Sequence, residues 1–102
     1  MQEINAAQWK EKIAEDSNAV ILDVRTDEEF EEGKIPSSQQ LNILDPALFM
    51  EKAQKLDPTK NYYVYCRSGG RSAQACAVLQ SLGIKTTYNL IGGITDWDGP
   101  IE

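Results

Sequence analysis

Short apolar runs of strand length alternate along this chain with segments whose apolar residues recur every three or four positions. Ala19-Val20-Ile21-Leu22-Asp23-Val24-Arg25 is nearly continuous and rich in β-branched residues, which predicts a strand covered on both faces and central in a parallel sheet. Tyr62 to Tyr65 and Thr86 to Leu90 predict two more strands, and Gln40 to Ile43 a brief one. Helical spacing fills the intervals. The first helix covers about residues 6–15, with Asn5 and Gln8 as its capping pair and Ala6, Trp9 and Ile13 turned inward. Thr26 caps a short acidic helix that runs to Glu32 around Phe30 and stops at Gly33. Asp45-Pro46 reads as N-cap plus first helical proline, ahead of an apolar face of Leu48, Phe49, Ala53 and Leu56. Residues 71–82 form a helix ended by Gly83, and Gly92-Gly93 turns the chain into a last short element carrying Trp97. This alternation predicts an α/β fold with right-handed crossovers and a mostly parallel sheet. Helices cover both faces, and ligands bind beyond the carboxyl ends of the strands.

Composition narrows the function. The chain of 102 residues reads as one domain, 1–102, without repeat, linker or low-complexity tract. Its net charge of −6 argues against nonspecific binding to nucleic acid or to an anionic membrane surface, both of which rest on basic patches. There is no histidine, and the two cysteines, Cys66 and Cys76, do not form a Cys-x-x-Cys pair, so neither a metal nor another cofactor is expected. The N-terminus lacks a basic segment followed by an apolar one, and no apolar stretch approaches membrane-spanning length, so the expectation is a soluble cytoplasmic protein. Only three arginines occur, Arg25, Arg67 and Arg71, each at or just after the end of a predicted strand.

Two of those arginines bracket the candidate chemistry. Cys66 follows the strand of residues 62–65 and begins Cys66-Arg67-Ser68-Gly69-Gly70-Arg71-Ser72, a glycine-bearing loop that opens a helix. Glycines there let consecutive backbone N–H groups turn inward, and the helix N-terminus adds its positive dipole end, so the loop attracts negative charge. A thiol in such a place ionises easily, its pKa falling from about 8.5 to roughly 3.5–7.5. Arg71, closing the loop, is expected to point its guanidinium inward, donating to the loop or to a bound anion. Arg67 is expected at the mouth, where it meets the negative group of a substrate.

The segment Cys66 to Ser72 resembles the active-site loop of rhodanese-type sulfurtransferases. Asp23-Val24-Arg25, then Glu29-Phe30, then Gly33, Ile35 and Pro36 resemble a second segment of that family, and Leu90-Ile91-Gly92-Gly93 with Trp97 resembles its C-terminal signature. The likeness spans about residues 4–99. It implies a three-layer α/β/α domain around a central, mostly parallel five-stranded sheet. It also implies that Cys66 takes sulfane sulfur from a small anionic donor, thiosulfate or a persulfide, and hands it to cyanide or to a thiol, including that of an acceptor protein. Cys66 and Arg71 are then the catalytic candidates, and Arg67, Ser68, Gly69, Gly70 and Ser72 the substrate-binding ones. The family carries histidine where Lys34 stands and a Gly-Ala pair where Ser37 and Ser38 stand, so no role passes to Lys34.

Two other functions fit the same frame. Related phosphatases and arsenate reductases place five residues between cysteine and arginine, a wider cradle for a tetrahedral oxyanion, whereas Cys66 and Arg71 enclose four. A nonenzymatic sulfur-carrier or regulatory module is the other. Ser68 and Ser72 are read as hydrogen-bonding the persulfide, with Ser72 equally placed to satisfy free N–H groups of the first helical turn. Cys76, between Ala73 and Leu79, reads as a core residue rather than a second reactive thiol. Arg25 is expected to pair with Glu29 as scaffold, and the acidic cluster from Asp27 to Glu32 reads as a solvated face.

Overall fold

The computed structural model describes residues 1–102. Five strands, β1 (Gln2–Ile4), β2 (Ala19–Asp23), β3 (Ser38–Gln40), β4 (Asn61–Tyr65) and β5 (Thr87–Leu90), join in the order β1-β5-β4-β2-β3. Every neighbouring pair is parallel. The connections carry four helices, α1 (Ala6–Ala14), α2 (Asp27–Glu32), α3 (Pro46–Ala53) and α4 (Gly70–Ser81), and a 3₁₀ turn follows β5 at Gly93–Asp96. Central strands in a sheet covered on both faces must be apolar on both, and β4 is: Tyr62 and Val64 face one core, Tyr63 and Tyr65 the other. On the first side they meet Leu22, Phe49, Ala53, Ala75 and Leu79, which puts α3 and α4 there. On the second they meet Ile4, Trp9, Ile35 and Leu90, with α1 and the 3₁₀ turn. The fold is therefore the three-layer α/β/α arrangement.

The caps are those the residue pattern predicts. Asn5 and Gln8 form a reciprocal box on α1, each side chain bonding the other's backbone N–H at 2.9 Å. Asp45 accepts from Leu48 N–H ahead of Pro46. The edges of the sheet depart from expectation. β3 lies at Ser38–Gln40 rather than residues 40–43, because an edge strand is polar and leaves no apolar run to read. Leu41 and Ile43 lie just past it, donating to the carbonyls of Asp23 and Val24. β1, at the opposite edge, was not foreseen: three residues with only Ile4 buried carry no periodic signal. Ser37, where the family carries glycine, has φ +68° in the left-handed region.

One buried cluster ties the second face together. Asp23, fully buried at the end of β2, accepts from Arg25 Nε at 2.9 Å and Nη2 at 2.6 Å, and from the Tyr65 hydroxyl at 2.8 Å. Tyr65 in turn accepts from the Ile35 N–H at 3.1 Å, and Arg25 donates to the Gly33 carbonyl at 2.7 Å, so the loop after α2 hangs from this pair. Arg25 thus pairs with Asp23, not with Glu29, which corrects the expected partner; Arg25 and Asp23 are nearer along the chain and share one buried pocket. Removing the carboxylate leaves a guanidinium 5 % exposed without its counterion. Asp23→Ala is expected to cost about 3–5 kcal/mol, read as a lower urea midpoint, while Lys55→Ala, breaking an exposed pair, is expected to cost under about 1 kcal/mol.

Candidate active site

Cys66 continues the inward alternation of β4 one residue past its end, so its side chain turns toward α4 instead of solvent and the residue is 1 % exposed. The loop leading into α4 decides the chemistry. Gly69 donates its N–H to the sulfur at 3.0 Å and adopts φ +113°, a conformation that carries a heavy penalty for any other residue, as the chain turns into α4. Ser72, buried in the first turn of α4, brings its hydroxyl to 3.3 Å from the same sulfur. Burial pushes the Cys66 thiol up, but hydrogen bonds from the Ser72 side chain and from the backbone N–H groups of Ser72, Gly69 and Ser68 outweigh it, and the net shift is downward. The sulfur sits in a pocket lined by N–H and O–H donors that favour its ionised form.

Two of the loop's carbonyls are held from outside it, by the 3₁₀ turn. Ile94 N–H donates to the Cys66 carbonyl at 3.0 Å, and Thr95 donates to the Arg67 carbonyl from its N–H at 3.1 Å and its hydroxyl at 2.8 Å. The 3₁₀ turn comes this close because Gly93 has no side chain: a methyl there would lie inside contact distance of both carbonyl oxygens, and its φ of +57° also favours glycine.

Family comparison agrees with this geometry. The rhodanese-like domain family matches residues 6–99. The chain belongs to that family. A Bacillus subtilis relative named "Putative sulfurtransferase YtwF" is 41 % identical over 99 residues, covering 97 % of this chain and 92 % of its own length. An Allochromatium vinosum protein named "Sulfurtransferase" is 33 % identical over 97 residues, covering 95 % and 88 %. The crystal structure of a rhodanese-like domain protein from Staphylococcus aureus superposes with a TM-score of 0.85 at 31 % identity, over 100 % of this chain and 97 % of that one. These similarities support a role in sulfur transfer.

Within this rhodanese-like chain the predicted site residues separate by position. Cys66, Gly69 and Ser72 converge on the sulfur, Ser68 contributes its N–H, and Gly70 opens α4 at an exposed position. Arg67 is exposed, makes no ion pair and lines a cleft of about 390 Å³ with Glu32, Ile94, Trp97 and Ile101. Arg71 is where the expectation needs correcting: its guanidinium donates to both Glu29 oxygens, at 2.7 and 2.9 Å, rather than to the loop. Glu29 also accepts from Thr26 as the second half of the α2 capping box, so one carboxylate joins the head of α2 to the head of α4. Cys76 is fully buried on α4, and burial pushes its pKa up to about 11, as befits a core thiol. Lys34 lies 4.3 Å above the Phe30 ring and pairs with Glu102, away from the sulfur.

Two participants escaped the residue pattern. Asn89 on β5, 1 % exposed, accepts from Ser72 Oγ and donates to the Gly69 carbonyl; a polar residue at an inward strand position was the available signal. Glu29 was readable from Thr26-x-x-Glu29, yet only as a cap.

Two outcomes test this geometry. The Arg71 guanidinium, donating to both carboxylate oxygens, lowers the Glu29 pKa from 4.5 to about 2. The pair therefore stabilises the fold fully above the unfolded value and loses that contribution as pH falls toward about 2. Urea midpoints near pH 7 and near pH 3 are expected to differ less in Glu29→Gln than in wild type. Gly93→Ala, by displacing the 3₁₀ turn from the loop carbonyls, is expected to cost about 1–3 kcal/mol and to slow alkylation of Cys66 by iodoacetamide near neutral pH.

Proposed function

We propose that this protein is a sulfurtransferase that passes sulfane sulfur through a persulfide on Cys66. The observation that carries the reading is the sulfur's setting: nearly buried, yet accepting from Gly69 N–H at 3.0 Å and Ser72 Oγ at 3.3 Å, with its acidity raised. A thiol whose ionised form is favoured has less need of a general base, which suits a chain lacking histidine. The thiolate attacks the outer sulfur of thiosulfate, the S–S bond breaks, sulfite leaves with the bonding pair, and Cys66 retains the outer sulfur as a persulfide anion. With an organic persulfide as donor, a thiol leaves instead. Cyanide or an acceptor thiolate then bonds to the terminal sulfur, and the electrons of the broken S–S bond return to Cys66 as thiolate. The negative charge sits on sulfur throughout, where the N–H groups of Ser68, Gly69 and Ser72 favour it. Arg67, free at the cleft mouth, attracts the donor's negative group.

Arg71 reaches the sulfur only through its charge, which Glu29 largely balances, since its hydrogen bonds go to Glu29. That engagement weighs against a phosphatase or arsenate reductase, whose oxyanion needs a guanidinium turned into the loop.

Intact mass of the reduced protein, taken after thiosulfate with and without cyanide, tests the reading in wild type and Cys66→Ser. Gain of one sulfur on wild type alone, removed by cyanide as thiocyanate, is expected. A folded wild type that gains no sulfur from thiosulfate or from an organic persulfide would sink it. An adduct that cyanide leaves in place and a protein thiol removes would favour a sulfur carrier.

A further inference from the structure

Asn89 links the nucleophile to the far edge of the sheet. Its Oδ1 accepts from Ser72 Oγ at 2.5 Å, and its Nδ2 donates to the Gly69 carbonyl and to Glu3 Oε1 of β1, each at 3.2 Å. Those two acceptors fix which way the amide faces: turned over, it would set its oxygen against a carbonyl oxygen and a carboxylate. The amide oxygen therefore faces Ser72. A hydroxyl has one proton, and Ser72 Oγ has three acceptors in reach, Asn89 Oδ1, the Gly69 carbonyl at 3.1 Å and Cys66 Sγ at 3.3 Å.

We propose that Asn89, held by Glu3, is a positioning residue that competes with Cys66 for the Ser72 proton and so restrains the sulfur from carrying negative charge. The inference rests on Cys66 being the reacting sulfur. While Cys66 is a neutral thiol, Ser72 donates to Asn89. When the sulfur ionises, a charge-assisted bond draws the proton toward it, and the bond to Asn89 is lost in exchange. Glu3 enters by holding the amide in register, which makes β1, an edge strand, part of the site. Besides Glu3, the charged and titratable groups around the sulfur are Arg67 on the loop, Arg71 with its partner Glu29, and Cys76 with the N-terminal amine that acts on it, and none is altered in the test.

The test is the pH profile of Cys66 alkylation by iodoacetamide on the reduced full chain, with the adduct located by mass. It compares wild type, Asn89→Leu, Ser72→Ala and the double variant. Asn89→Leu is expected to move the midpoint down by about half to one pH unit, the worth of one hydrogen bond, and to move nothing once Ser72 is alanine. An upward shift, no shift, or a shift that persists without Ser72 overturns the proposal. Should Asn89→Leu fail to fold by far-UV circular dichroism, Glu3 on its exposed edge carries the same test. Glu3→Leu is expected to lower the midpoint only when Ser72 is present, while Glu3→Gln, which keeps the acceptor oxygen, stays closer to wild type. Equal shifts in the two Glu3 variants would assign the effect to charge alone and overturn the relay. Alkylation needs no sulfur donor, so the answer stands apart from whether sulfur is transferred.

Discussion

The site depends on where the carbonyls of Cys66 and Arg67 go. A loop between a strand and a helix has backbone donors and acceptors that no ladder satisfies, and a buried loop must satisfy them locally. Here the 3₁₀ turn after β5 takes both carbonyls through Ile94 and Thr95. With the acceptors bound outward, the N–H groups are left facing the sulfur. Gly93 permits the approach and Gly69 completes the turn, so two glycines far apart in sequence serve one end: a pocket whose positive lining is backbone.

Charge balance then shapes what the pocket can hold. Arg25 is neutralised by Asp23 inside the second core, and Arg71 by Glu29 between two helix heads. The sulfur is thus surrounded by dipoles and single hydrogen-bond donors, with one uncompensated cation, Arg67, at the rim. Dipoles stabilise a single charge on a small atom well, because each contributes at contact distance. A phosphate or arsenate held inside the loop spreads its charge over several oxygens and needs full cations among them. The pairing of Arg71 with Glu29 favours the first kind of ligand over the second.

This division also explains what could be read from the residues alone. The central strands, the capped helices and the place of Cys66 were legible because each rests on local information: continuous β-branched runs, Asn5 with Gln8, Thr26, Asp45-Pro46, and a glycine loop after a strand. The edge strands were not, since Ser38–Gln40 and Gln2–Ile4 are short and polar, and their pairing is set by neighbours distant in sequence. Ion-pair partners failed for the same reason. Arg25 lies four residues from Glu29, which invites a local pair, but burial of Asp23 against Tyr65 draws it inward and leaves Glu29 for Arg71, forty-two residues away. Asn89 reaches Cys66 through Ser72 and Gly69, paths that exist once β5 lies beside β4 under α4.

Burial of Cys66 sets two requirements against each other. A sulfur removed from water is disfavoured as an anion, yet a persulfide exposed to water and other thiols would lose its outer atom to whatever arrived first. The loop reconciles them by supplying donors that water would otherwise supply, with the backbone N–H groups held in place before the charge appears. The proposed transfer moves the charge one atom outward, from thiolate to persulfide. Near-equal stabilisation of both states is what a carrier needs, since a pocket that held the persulfide far more tightly would accept sulfur and fail to release it.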